Sequence, residues 1–170
     1  LIPDIILGDL DSINTNDKNF FLLKNVKFIK YPEKKDFTDT EIATDMAIGM
    51  KPDLVTFIGT LGNRFDHSIS NINLLIKLLN NNIKGKIVNE YNEIYMINDS
   101  IELRGKPGDI LSIIPITNTV NGVTLKGLEY PLENAEISFG SSIGVSNKFS
   151  GEFASVEIKE GLLLVIKSRD

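Results

Sequence analysis

Leu54-Val55-Thr56-Phe57-Ile58-Gly59-Thr60-Leu61-Gly62-Asn63-Arg64-Phe65-Asp66-His67 decides the fold class. Leu54 to Ile58 is a compact apolar run of strand length, closed by Gly59. A helical pattern follows the second glycine. Asp66 or Ser68 can cap that helix, whose apolar side is expected to hold Ile69, Ile72, Ile76 and Leu79. Strand, glycine-bearing loop, helix is the unit from which open parallel sheets are built. Such sheets bind ligands beyond the carboxyl ends of their strands.

The same alternation extends outward from this stretch. Downstream, Asn80-Asn81-Asn82 ends the helix and Ile87-Val88 opens another strand. Upstream, Ile5 to Leu7 reads as a strand, Asp17 to Lys24 as a short helix, and Val26 to Ile29 as a strand stopped by Tyr31-Pro32. Thr38 and Glu41 then have capping-box spacing. Ile42, Ala43, Met46, Ala47 and Met50 supply an apolar face for the helix they begin. Residues 1–90 are therefore expected to form an α/β parallel-sheet (Rossmann-like) domain. After Tyr91 the helical periodicity fades and turn signals multiply. Asn121-Gly122 between Val120 and Val123 has the form of a hairpin turn. Ala154, Val156 and Ile158 alternate with polar residues. Residues 91–170 are expected to form an all-β sandwich domain.

Composition narrows the chemistry. A net charge of -5 is the wrong sign for a phosphate-backbone binding face, so no nucleic-acid partner is expected. The chain has no cysteine and one histidine, His67. That excludes thiol nucleophiles, disulfides and multi-histidine metal sites within it. Oxygen ligands remain, which suit magnesium or calcium. Apolar runs reach only five or six residues, too short to span a bilayer, so no membrane partner and a cytoplasmic location are expected. Leu1-Ile2-Pro3-Asp4 leads straight into a strand, as if the chain began inside a domain.

Three acidic segments fall where apolar runs give way to helical patterns. In Gly8-Asp9-Leu10-Asp11-Ser12, extended backbone would turn both carboxylates to one side; a polar strand-to-helix turn explains them equally well. In Lys35-Asp36-Phe37-Thr38-Asp39, Thr38 is accounted for as a cap, whereas Asp36 and Asp39 together exceed what capping needs. Lys35 could add a cation. In the third segment Arg64 offers a planar set of donors for phosphate; Asp66 and His67 open the helix. As structure alone, Asp66 is a cap, Arg64 a surface residue and His67 a cap or packing residue. Taken together, five carboxylates beside one arginine and one histidine would form a cradle for a magnesium-phosphate substrate.

At these residues the chain resembles the thiamine pyrophosphokinases. That family has G-D-x-D-S, K-D-x-T-D and G-x-x-G-x-R-x-D-H segments in this order, and Gly144-Val145-Ser146-Asn147 is similar to its substrate loop. The resemblance implies transfer of pyrophosphate from ATP to the thiamine hydroxyl, giving thiamine diphosphate and AMP. It implies magnesium held by Asp9, Asp11 and Asp39, and catalytic roles for Asp11, Asp39 and Arg64. Asp36, Thr38, Arg64, Asp66 and His67 would bind nucleotide and phosphate; Ser146 and Asn147 would bind thiamine. A homodimer is implied, with thiamine sites where subunits meet. Two departures stand out. Asn63 replaces a second glycine of many members, and the family's opening strand with its A-D-G-G-like segment is not in this chain. A magnesium-dependent phosphohydrolase, and a non-catalytic nucleotide- or thiamine-binding module, are the competing readings.

Overall fold

The computed structural model describes residues 1–32, 34 and 36–169. Lys35, the expected extra cation, lies outside the described residues. The chain divides into two compact units, Leu1–Met50 and Lys51–Asp170.

The first unit runs β1 (Ile5–Gly8), α1 (Thr15–Leu23), β2 (Lys27–Lys30), α2 (Asp39–Gly49). β1 and β2 pair in parallel, from Ile5↔Lys27 to Gly8↔Lys30. Asn14 caps α1 by accepting from the Asp17 amide at 2.9 Å. Asn25, with φ of 60°, turns the chain out of α1 toward β2. Thr38 caps α2 as expected, its Oγ1 accepting from the Glu41 amide at 3.2 Å. The expected apolar face of α2 is only partly buried, and Met50 is exposed. The buried position belongs to Thr44, whose hydroxyl donates to the Thr40 carbonyl at 2.7 Å. That bond removes the main penalty for burying a polar group there.

The second unit begins with β3 (Leu54–Ile58), α3 (Phe65–Leu79) and β4 (Lys84–Val88). Only strands follow: β5 (Asn92–Ile97), β6 (Ser100–Arg104), β7 (Ile110–Pro115), β8 (Thr119–Lys126), β9 (Leu132–Ser138), β10 (Asn147–Lys148), β11 (Phe153–Glu157) and β12 (Leu163–Ser168). They form a six-stranded sheet, β10-β7-β12-β5-β4-β3, and a four-stranded sheet, β6-β11-β8-β9. The larger sheet is mixed: β3 and β4 are parallel, and every other neighbouring pair is antiparallel. Hydrogen bonding passes from β4 to β5 through Val88↔Glu93, so this sheet continues without a break past residue 90. Both sheets feed one core, with Leu111, Ile113, Leu163 and Val165 from the larger and Val120, Leu125, Ile137 and Val156 from the smaller.

One register row crosses the whole larger sheet: Ile58↔Val88↔Glu93↔Lys167↔Leu111↔Asn147. The chain that leaves β3 and the chain that enters β10 therefore lie at the same end of the sheet, on its two edges. At about 4.8 Å per strand step they stand roughly 24 Å apart along it.

Two expectations are corrected. Asn121-Gly122 is not a hairpin turn but lies inside β8, where the register against β9 shifts between Val120 and Val123. Gly122 has φ of 71°, and Asn121 bridges to Glu160 instead. A left-handed glycine serves a bulge as readily as a turn. The buried face of α3 is Ser68, Asn71, Leu74, Leu75 and Leu78, not the stripe through Ile69. Ile69 is exposed. No helix among the described residues is long and apolar enough to cross a membrane.

Candidate active site

In the first unit Asp9 and Asp11 follow the end of β1, and Asp39 reaches it from α2. Leu10 has φ of 64°, so the backbone turns there and Asp9 and Asp11 do not share one side of an extended strand. The Asp11 amide donates to Asp9 Oδ1 at 3.3 Å, the local turn that such residues favour. Asp9 is half-buried and Asp11 exposed. Asp39 opens α2 and returns to the same strand end. A Cβ placed on Gly8 would sit 3.2 Å from Asp39 Oδ2, so glycine leaves the room that this carboxylate uses. Asp36 and Thr38 are exposed just before α2. Among the described residues no three acidic or histidine side chains are gathered closely enough to hold a metal ion by themselves.

In the second unit the loop after β3 carries the other group. Gly59 has φ of 74°, and a Cβ on either Gly59 or Gly62 would meet nothing within 4 Å. The loop thus faces open space on its glycine side. Arg64 is the N-cap residue of α3, and no side chain caps that helix; neither Asp66 nor Ser68 does so, against expectation. Asp66 instead holds Arg64, with Nη2 to Oδ2 at 2.6 Å and Nε to Oδ1 at 3.3 Å. That pair holds the Asp66 carboxyl below its usual range and the Arg64 guanidinium above its own. Both side chains are exposed. Arginine has five N–H donors, so the remaining ones can still meet a phosphate. His67 Nε2 lies 4.0 Å from the same Asp66 oxygen.

Ser146 and Asn147 lie at the opposite edge of the six-stranded sheet. Ser146 is exposed, with φ of 59°, and its amide donates to Ser112 Oγ at 3.0 Å. Asn147 is 2% exposed. Its Oδ1 accepts from the Tyr130 amide at 3.0 Å and the Lys148 amide at 2.9 Å, while Nδ2 donates to the Tyr130 carbonyl at 2.7 Å. Its amide is committed to the turn that carries Tyr130, whose side chain is exposed.

Along the same sheet end runs a cleft of about 630 Å³, lined among others by Tyr91, Glu93, Arg104, Lys167 and Arg169. Its cations are largely engaged already: Lys167 with Glu93 at 3.6 Å and the Arg104 carbonyl at 2.8 Å, Arg169 with the Glu90 carbonyl at 2.9 Å.

The sequence reading missed Asn71 and took Ser68 only for a candidate cap; both are buried against the Gly59–Arg64 loop. The signal was present. The stripe through Leu78, Leu75 and Leu74, continued back in helical steps, lands on Asn71 and then Ser68.

Comparison with known proteins agrees with the ordered segments. The family described as "Thiamin pyrophosphokinase, catalytic domain" matches residues 1–87, and "Thiamin pyrophosphokinase, vitamin B1 binding domain" matches residues 98–163. A thiamine pyrophosphokinase of Bacillus subtilis is 32% identical over 173 residues, covering 100% of this chain and 80% of the relative. Thiamine pyrophosphokinase 3 of Oryza sativa is 33% identical, covering 92% of this chain and 62% of the relative. The crystal structure of a B. subtilis thiamine pyrophosphokinase superposes with a TM-score of 0.91 at 30% identity, over 100% of this chain and 80% of that one. That from Geobacillus thermodenitrificans gives 0.85 at 31% identity, over 99% and 78%. With both halves matched in order and the fold shared along its full length, this chain belongs to the thiamin pyrophosphokinase family.

Proposed function

We propose that the protein is a cytoplasmic thiamine pyrophosphokinase that moves a pyrophosphoryl group from ATP to the thiamine hydroxyl. The observation that carries this reading is placement. The Asp9–Asp11, Asp36–Asp39 and Gly59–His67 segments each follow the carboxyl end of a parallel strand, β1, β2 and β3, where such sheets bind their ligands. One family match ends at residue 87 and the other begins at residue 98. They support a functional division into a Rossmann-like ATP-binding part, 1–90, and a sandwich that takes thiamine, 91–170.

In this mechanism the hydroxyl oxygen of thiamine attacks the β-phosphorus in line. The bond to the oxygen bridging the α- and β-phosphorus breaks, and AMP leaves. The hydroxyl proton passes to a carboxylate, for which Asp39 is the better candidate because both oxygens of Asp66 are bonded to Arg64. Arg64 steadies charge on the phosphates, and Asp66, already paired with it, fixes the orientation of its guanidinium. Asp36, Thr38 and His67 serve the nucleotide side. Ser146 touches thiamine, and Asn147 contributes by holding the Tyr130 turn.

Asp9, Asp11 and Asp39 near the end of β1 offer oxygen donors only, a chemistry that suits magnesium. That ion is commonly held by one or two carboxylates, with water and substrate phosphates completing its shell. When bound there it would neutralise phosphate charge.

The direct test is product analysis. With ATP, magnesium and thiamine, equal amounts of thiamine diphosphate and AMP are expected. Free phosphate in their place would identify a phosphohydrolase, and ligand binding without turnover a binding module.

The two edges of the six-stranded sheet also favour a homodimer. Arg64 and Ser146 belong to loops roughly 24 Å apart along one sheet, so a site built by Arg64 of one subunit and Ser146 of its partner is the economical arrangement. Inactive Arg64→Ala and Ser146→Tyr proteins, mixed and allowed to exchange subunits, are then expected to recover roughly a quarter of wild-type activity, since a two-fold heterodimer keeps one intact site. No recovery, with exchange verified, would place both residues in a single-chain site.

A further inference from the structure

Four polar residues are buried in the described structure, and two of them, Ser68 at 8% and Asn71 at 6% exposure, lie on the inner face of α3. Polar groups are buried at a cost unless they are bonded. Here the partners all come from the loop that precedes the helix. Ser68 Oγ accepts from the Gly62 amide at 3.2 Å, and lies 3.3 Å from the Gly62 carbonyl and 3.2 Å from the Arg64 carbonyl. Asn71 Nδ2 donates to the Thr60 carbonyl at 2.8 Å. The loop is therefore tied to α3 at residues 60, 62 and 64. Its other side is left open by Gly59 and Gly62. The Thr60 hydroxyl is buried without a partner among the described residues, so the loop is held in place against a desolvation cost.

We propose that Ser68 and Asn71 are positioning residues, which fix the Thr60–Arg64 arch so that Arg64 and the loop amides meet the phosphates of ATP. Two glycines make this loop conformationally free, and without the ties its open side would be one of many arrangements. The proposal rests on the pyrophosphokinase reading for the identity of the ligand, and on the hydrogen bonds alone for the role of the two side chains.

The test uses the full chain with Ser68→Ala, which deletes the hydroxyl, and Asn71→Asp, which keeps the shape but removes the donor. Two readouts are taken. Amide hydrogen exchange over residues 60–64 is expected to speed up about tenfold in each variant, from the loss of one to two hydrogen bonds, with exchange in β4 unchanged. In steady-state assays the KM for ATP is expected to rise about tenfold while the KM for thiamine stays within twofold. Exchange that is unchanged in the loop, or raised equally throughout α3 and β4, would overturn the proposal, as would a fall in kcat with neither KM altered. If the wild-type chain makes no thiamine diphosphate, the assigned reaction fails by itself. The exchange measurement still decides whether these two side chains hold the arch.

Discussion

Asp39→Asn is expected to lower thiamine diphosphate formation by about 100- to 1000-fold, the range seen when one electrostatic stabiliser is removed from an active site. The substitution keeps the size of the side chain and removes its charge. Asp39 is exposed at the first residue of α2, and Thr38 supplies the cap. The Asp39 charge also favours the helix start by up to about 1 kcal/mol, so folding and turnover are measured together. Initial rates measured beside thermal melts separate the two effects: a large fall in turnover with little change in melting is the expected pair. Asp11→Asn should behave similarly. Turnover unchanged in either variant removes that carboxylate from the mechanism.

Gly144→Ala is expected to destabilise the protein by about 2–5 kcal/mol. Part of that loss is conformational, because Gly144 has φ of 84°, a region that costs an L-residue about 1–2 kcal/mol. The rest is steric. A Cβ there would collide with Cγ1 and Cδ1 of Ile113, which is fully buried in the core, and forcing extra volume into a packed core costs about 1–3 kcal/mol. Gly140 provides the control. It has the same φ of 84° but nothing within 4 Å of its Cβ position, so Gly140→Ala should show the conformational part alone. Urea midpoints of the two variants measure the difference. Equal losses would mean that Ile113 moves aside at little cost, and that the Ser146 loop is not pinned by the core as its geometry implies.

What was legible in the sequence, and what was not, follows from the range of the forces involved. β3 was readable to the residue because a compact apolar run between Asp53 and Gly59 has local causes at both ends. The Thr38 cap was readable for the same reason. The buried face of α3 was not. Ile69, Ile72 and Ile76 make as good a stripe as Leu74, Leu75 and Leu78. The choice depends on Ser68 and Asn71 finding partners in a loop that hydropathy does not describe. Asn121-Gly122 failed as a hairpin because β8 has Glu160 to bridge to, 39 residues away. For Asp9 and Asp11 the spacing left a shared strand face and a polar turn equally open, and the left-handed turn at Leu10 decides for the turn. Asn147 stood out only through the resemblance to the family's substrate loop, and the structure spends its side-chain amide on the Tyr130 backbone.

The unbroken register row from Ile58 to Asn147 has a thermodynamic consequence. A strand in the middle of a sheet cannot open without stripping its neighbours of hydrogen bonds, and β5 and β12 stand between the two edges. Lys51–Asp170 is also one compact unit, so it should melt as a single cooperative block, not as a nucleotide half and a vitamin half. A molecule that binds only the folded form raises the stability of everything that unfolds with it, by an amount set by its concentration over its dissociation constant. A ligand held at the β3 edge therefore protects the β10 edge, and the reverse, without either loop having to move.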